Sequence, residues 1–283
     1  MNYFELLPTE DNLIKTLNED LLGRNLQLAY FYSLLESQKN ARTIAIEGKW
    51  GSGKTFFVKQ SIMIINAKNP MSDYDDKKRE KVLQHIPFEK KEDENYNLAV
   101  YYDSWANDNN SQPIISLIYE IAKQLGLTYM LSPDFNVFKT AASVIEIITD
   151  RDIKGIVDSL KSDNPIARFE EEKELDVKIN QFLSEVINER GNRLIVFIDE
   201  LDRCKPSFAV QLLEQIKHFL NDERITFVLS VNVDELQHTI KRYYGESFDA
   251  SRYLDRFFDL RVPLPKVDSN KLYDVGVKSP TTF

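Results

Sequence analysis

The sequence predicts an α/β fold, a mainly parallel sheet flanked by helices and interrupted by polar or helical insertions. Three observations carry that expectation. Short apolar runs of strand length alternate with helical patterns along most of the chain, which implies right-handed crossovers and a sheet covered on both faces. A glycine-rich stretch, "IEGKWGSGKT", follows one such run and opens a helix. A second run, "LIVFIDELD", is five apolar residues ending in a cluster of acids.

Taken in order, Leu13 to about Gln38 reads as one helix, with Leu21, Leu28, Phe31, Leu34 and Leu35 at three- and four-residue spacings. It defines an N-terminal helical segment over residues 1–40. "RTIAIEG" is a β-branched run ending on glycine, as a buried strand does before a tight turn. Thr55 to about Ala67 is helical. Residues 68–97 are almost entirely polar and predict a solvated loop or hairpin, or a charged docking surface. "NLAVYYDSW" restores a strand, and the helix from Ile114 follows it. Residues 132–170 form a second, weakly patterned insertion.

A helix over Glu171–Glu189 then leads to the strand "RLIVFID", a helix over Pro206–Leu220, the strand "RITFVLSVN", a helix starting near Asp234, and a last short helix and strand in "SRYLDRFFDLRVPLP". The main domain is thus expected over residues 41–266, with a tail over 267–283.

Composition narrows the class. The 283 residues are 42% hydrophobic and 29% charged, enough for one large core. The net charge of -9 argues against binding nucleic acid through an overall basic field. One cysteine, Cys204, excludes an internal disulfide and a cysteine-rich zinc site. No basic, apolar leader opens the chain and no run of 18 apolar residues occurs, so no transmembrane segment is expected and a cytoplasmic location is.

Gly48, Lys49, Trp50, Gly51, Ser52, Gly53, Lys54 and Thr55 satisfy GxxxxGK(S/T). The loop must turn its backbone N–H groups inward around a phosphate, which demands backbone angles and close approach that a Cβ obstructs. The helix start adds its own free N–H groups. Lys54 is expected to reach the β- and γ-phosphates and the Thr55 hydroxyl to ligate Mg²⁺. The alternative, an ordinary glycine turn, lacks a reason for the strand before it and the helix after it.

Asp199, delivered by Leu194–Ile198 to the carboxyl edge of the sheet, is the expected second metal residue. Glu200 is placed to orient and deprotonate a water, and Asp202 and Arg203 extend the cluster. The other reading of "DELD" is a solvated turn capping the next helix. Asn232 at the tip of "FVLSVN" either bonds the water or γ-phosphate or caps the following helix. Arg203 and Arg256 are candidates to neutralise charge in phosphoryl transfer, or surface ion-pair partners. The only approach to a guanine-reading NKxD, "NKLYD" from Asn270 to Asp274, has the wrong spacing, so ATP is the expected nucleotide.

Together "DLLGR" (Asp20–Arg24), "IEGKWGSGKT", "YYDSW", "VFIDELDRC", "VLSVN" and "YLDRFFDLRVPLP" resemble, in order, the KAP family of P-loop NTPases over most of residues 18–266. Trp50 and the tetrad Leu201, Asp202, Arg203, Cys204 are the most specific parts. The resemblance implies an ATPase of the additional-strand, catalytic-glutamate type, with "LAVYYDSW" as the inserted strand between the two nucleotide motifs. It also implies Lys54, Thr55, Asp199 and Glu200 in the roles above.

Several bacterial members are associated with phage exclusion, so a defence setting is implied. Three departures stand out. Many members insert transmembrane helices where this chain is polar or amphipathic. The family more often has aspartate at the position of Glu200. Members usually continue into a helical region beyond the point where this chain ends, which implies a longer protein or a protein partner or second copy that supplies those parts.

Two functions follow as expectations: an Mg²⁺-dependent ATP hydrolase driving conformational or oligomeric change, or a nucleotide-gated switch with little hydrolysis of its own. A small-molecule kinase finds no acceptor pocket or lid arginines in the sequence.

Overall fold

The computed structural model describes residues 7–38, 40, 42–88, 96–126, 165–219 and 222–267. Five strands form one all-parallel sheet: β1 (Thr43–Glu47), β2 (Asn97–Asp103), β3 (Arg193–Asp199), β4 (Ile225–Val231) and β5 (Leu260–Pro263). Their spatial order is β2-β3-β4-β1-β5.

This order corrects one expectation. The strand inserted in space between β1 and β3 is β4, registered Ile46↔Ser230 on one side and Asp199↔Ser230 on the other. Strand β2, which lies between the two nucleotide motifs in sequence, forms the sheet edge beyond β3. The additional strand is present; chain order does not reveal which run supplies it.

Side-chain alternation with a period of two divides the core into two layers. On one face Leu194, Val196 and Ile198 of β3 join Phe227, Leu229 and Val231 of β4. These pack against α5 (Pro113–Gln124), α6 (Pro165–Arg190), α7 (Pro206–Phe219), α8 (Val233–Tyr244) and α9 (Ala250–Leu254). On the other face Ile44, Ile46, Ile195 and Phe197 meet α1 (Glu10–Asn18), α2 (Asn25–Ser37), α3 (Lys54–Lys68) and α4 (Asp76–Leu83). In α6 the apolar stripe is Ile179, Phe182, Leu183, Val186 and Ile187, all buried, at the spacing of one helix face.

The helix expected from Leu13 to Gln38 is two helices. Asp20 (φ 43) and Gly23 (φ 62) take left-handed conformations that end α1 and restart the chain as α2. The break is stabilised by side chains: Asp20 Oδ1 accepts from the Asn25 N–H at 3.0 Å, and Asn25 Nδ2 donates to the Leu17 carbonyl at 2.7 Å. Polar groups of the turn thereby satisfy helix ends that periodicity alone cannot see.

Residues 68–97 are likewise not simply a solvated loop or hairpin. Asp75 caps α4 by accepting from the Lys78 N–H at 2.7 Å, and Val82 and Ile86 are buried against α3. Arg79 donates to the carbonyls of Ala67, Asn69, Pro70, Ser72 and Tyr74, closing the end of α3. A mostly polar stretch docks through a few apolar residues, among them Tyr74, Val82, Ile86 and Phe88, and through one guanidinium. The tail over 268–283 with "NKLYD", residues 89–95 of the first insertion and residues 132–164 of the second lie outside the described residues. The remainder of that insertion begins α6, six residues earlier than the sequence pattern suggests.

Candidate functional site

All the strands run parallel, so their carboxyl ends converge on one edge, and the loops leaving β1, β3 and β4 meet there. The loop after β1 is tied to β4 by the Gly48 N–H donating to the Val231 carbonyl at 3.2 Å. Ser52 closes it, its N–H and hydroxyl both donating to the Lys49 carbonyl. Gly53, at φ 85, is the residue from which α3 starts, a left-handed conformation that a Cβ would strain. Lys54 is buried, and its Nζ donates to the Gly48 carbonyl at 2.9 Å and the Lys49 carbonyl at 3.3 Å. Burial pushes the Lys54 ammonium down, opposed by Asp202, Asp199 and Glu200 and reinforced by Arg203, so five charged groups share one field.

Asp199 is completely buried at the end of β3. Its Oδ2 accepts from Thr55 Oγ1 at 2.7 Å and from the Tyr101 hydroxyl at 3.3 Å; its Oδ1 accepts from the Glu200 N–H at 3.0 Å. Burial and this carboxylate hold the Tyr101 phenol well above its ordinary range. Thr55 and Asp199, 144 residues apart, are therefore joined directly across the sheet edge.

Glu200 has φ 62, a left-handed conformation in a non-glycine residue, and it turns the chain sharply into the single 3-10 turn Leu201–Arg203. Such conformations cost about 1–3 kcal/mol and persist where the surroundings over-determine them. The turn leaves Glu200 within reach of the charges of Asp199, Arg203, Asp202 and Lys54. Burial raises its carboxyl pKa, with Asp199 adding to the rise and Arg203 opposing it.

Arg203 Nε lies 2.6 Å from Glu200 Oε2. The same guanidinium sits 5.6 Å from the Trp50 ring centre and 5.7 Å from that of Trp105, within cation–π range of both. Trp50 Nε1 donates to Asp202 Oδ2 at 2.6 Å, and Asp202 is nine-tenths buried with Oδ1 unpartnered. The Thr239 hydroxyl on α8 donates to the Asp202 carbonyl at 3.2 Å, fixing the turn from the other side.

The structure thus brings together Gly48–Thr55, Asp199, Glu200, Asp202 and Arg203. Asn232 ends β4 beside them; its backbone carbonyl starts α8, accepting from the Leu236 N–H, while its side chain makes no capping hydrogen bond. Arg256 is elsewhere. It is exposed, three residues before Asp259, which pairs with Thr43 through both backbone and side chain. Thr43 begins β1, while the neighbouring Asp255 pairs with Arg261, which also reaches Glu47 at the end of β1.

Three residues had no role from sequence: Tyr101 on Asp199, Trp105 on Arg203, and Arg24, whose guanidinium donates to the Ser52 carbonyl at 3.0 Å and the Gly53 carbonyl at 3.3 Å. Their only signal is membership of "YYDSW" and "DLLGR", which carries no information about which partner each one meets.

Among the described residues no three His, Cys, Asp or Glu side chains converge as a metal site, and no helix is long and apolar enough to cross a membrane. The model of the KAP family P-loop domain matches residues 24–276. No curated protein matches the sequence. A solved structure, "Structure of C. elegans PCH-2", aligns with 12% identity and a TM-score of 0.32. The alignment covers 96% of this chain and 48% of that one, a likeness too slight to support any statement about function.

Proposed function

This chain belongs to the KAP family of P-loop domains, and from that premise we propose that it binds ATP with Mg²⁺ and hydrolyses it to drive a conformational or oligomeric change. The observation that carries the reading is the 2.7 Å hydrogen bond from Thr55 Oγ1 to Asp199 Oδ2. A hydroxyl at a helix start and one buried carboxylate, completed by phosphate oxygens and water, is a donor set that Mg²⁺ accepts; a dedicated cage of three protein acids is not needed. Bound there, the ion would neutralise charge on the β- and γ-phosphate oxygens.

The chain's own groups divide the remaining work. Amides of Gly51–Thr55 face the phosphates, and Lys54 exchanges its loop carbonyls for phosphate oxygens. Glu200 accepts a proton from the attacking water as that oxygen bonds to the γ-phosphorus and the bond to the β-γ bridging oxygen breaks. Asp202 is the anchor of Trp50 and Glu200 the base, a division that the Trp50–Asp202 hydrogen bond favours. Asn232 is free to orient the water or γ-phosphate.

One observation supports the second reading, a nucleotide-gated switch: Glu200 is held by Arg203 at 2.6 Å. A base engaged by a guanidinium turns over slowly until that pair opens. Arg256 is exposed, so its part in charge neutralisation would be played across an interface with a second copy or a protein partner. The defence setting is part of this proposal on the family resemblance alone, and the cytoplasmic location on the sequence alone.

The test is ATP binding and phosphate release by the purified chain with Mg²⁺, comparing Lys54→Ala and Glu200→Gln. Loss of turnover in both, with ATP still bound by Glu200→Gln, is the expected result. Tight binding with no turnover under any condition would replace the hydrolase with the switch.

A further inference from the structure

Arg24 is 2% exposed, yet no catalytic role reaches it. The Asp20–Gly23 turn exists at a cost in backbone conformation and delivers this side chain beneath the phosphate loop. Its guanidinium touches three carbonyls: Ser52, Gly53 and, from 241 residues away, Pro265. Burial alone pushes it down to about 10, so it is a charged group at neutral pH whose named partners are neutral oxygens.

The peptide plane gives these contacts a consequence. In a trans peptide the C=O and the following N–H point in opposite directions. Pinning the Ser52 carbonyl down onto Arg24 therefore turns the Gly53 N–H up, and the Gly53 carbonyl, held both by Arg24 and by the Phe57 N–H of α3 at 3.2 Å, does the same for the Lys54 N–H. Those are two of the amides that a phosphate loop offers to its anion. A Cβ on Gly53 would lie 3.1 Å from Arg24 Nη1, so the glycine also lets the guanidinium approach this closely.

The third contact extends the arrangement. Beyond β5 the Leu264 N–H donates to the Glu47 carbonyl at 2.7 Å, and the next carbonyl, Pro265, is held by Arg24. The chain leaving β5 thus shares one guanidinium with the phosphate loop.

We infer that Arg24 is a positioning residue that orients the Gly53 and Lys54 amides toward the nucleotide phosphates and, through Pro265, couples phosphate binding to the chain leaving β5. This rests on the proposal that the loop binds nucleotide, and it goes beyond it by assigning an orienting group and an output path. A lysine keeps the charge but, as a single ammonium, cannot hold three carbonyls in the planar fork of a guanidinium.

The test compares wild type, Arg24→Lys and Arg24→Met for ATP, ADP and AMP affinity and for melting temperature without nucleotide. Hydrogen exchange of residues 264–267 in wild type, with and without ADP, accompanies it. Expected are a roughly ten-fold or greater loss of ATP and ADP affinity in Arg24→Lys, a larger loss in Arg24→Met, AMP affected far less, and slower exchange at Lys266 and Val267 when ADP is bound. A merely structural role predicts lower melting temperatures with unchanged nucleotide affinity in the folded fraction, and that result overturns the inference.

Unchanged exchange at 264–267 overturns the coupling even where neither variant folds. Failure of wild type to bind ATP or ADP at all would instead sink the reading of the site itself.

Discussion

Replacing Trp50 with phenylalanine removes the indole N–H donor and keeps a smaller aromatic ring beside Arg203. In the structure the indole N–H donates at 2.6 Å to Asp202 Oδ2, while Oδ1 is buried without a partner. A hydrogen bond to a charged group contributes about 1.5–3 kcal/mol. Trp50 is 50% exposed, so water recovers part of that, and a loss of about 2 kcal/mol is expected for Trp50→Phe. Asp202→Asn leaves an acceptor but removes the charge assistance, which roughly halves the bond and costs about 1 kcal/mol.

Because both variants act on one bond, the double variant should be less destabilised than their sum, by about 1 kcal/mol. In a domain of this size about 2 kcal/mol lowers Tm by roughly 4–8 °C. Urea unfolding followed by far-ultraviolet circular dichroism, with ATP affinity measured on the same four proteins, reads both consequences. Effects that add to within about 0.3–0.5 kcal/mol would refute Asp202 as the anchor of Trp50, as would ATP affinity unchanged in Trp50→Phe.

Other outcomes follow from the same structure. Both tryptophans of the chain lie on Arg203, so Mg²⁺ and ATP should change intrinsic fluorescence and Arg203→Gln should abolish most of that change; a silent signal means the guanidinium does not move. Tyr32, Tyr74, Tyr101, Tyr102 and Tyr253 all have phenols raised by burial, Tyr74 to about 12. Their contribution is fully present below the unfolded tyrosine value of about 10 and lost as pH rises toward the folded values. Tm should therefore fall steeply above pH 10, and a flat profile to pH 11.5 would contradict this.

A Cβ on Gly191 would meet the Tyr96 carbonyl oxygen at 2.4 Å, a backbone atom that cannot swing away. Gly191→Ala should cost on the order of 2–4 kcal/mol while the folded fraction keeps its ATP affinity; equal stability by denaturation would show that the β2–β3 edge yields freely. If Arg256 acts across an interface, specific ATPase activity should rise with protein concentration and Arg256→Ala should remove the rise, whereas a rate independent of concentration excludes that role.

Much of the site was legible because its parts are contiguous. Gly48–Thr55 is a loop whose backbone geometry dictates glycines at fixed offsets. Asp199 and Glu200 follow a five-residue apolar strand whose end must lie at the carboxyl edge. Helix and strand alternation also predicts the layers, since each periodicity has one buried face. The 3.6-residue pattern across Leu13–Gln38 misled where Asp20, Gly23 and Asn25 end one helix and start another with side-chain hydrogen bonds. The polar count of residues 68–97 misled because a few apolar residues, Val82 and Ile86 buried among them, and the Arg79 guanidinium suffice to dock α4.

The sequence by itself determined the phosphate loop, the acidic strand end and the α/β class, because each is a local pattern with a local physical cause. Only the tertiary structure decided that β4 separates β1 from β3, that Trp50 meets Asp202 across 152 residues and that Arg24 meets Pro265 across 241. Strand order and distant pairings depend on which burial of the whole chain is lowest in free energy. No local periodicity encodes that choice, since a strand that is apolar on both faces can occupy more than one position in a parallel sheet.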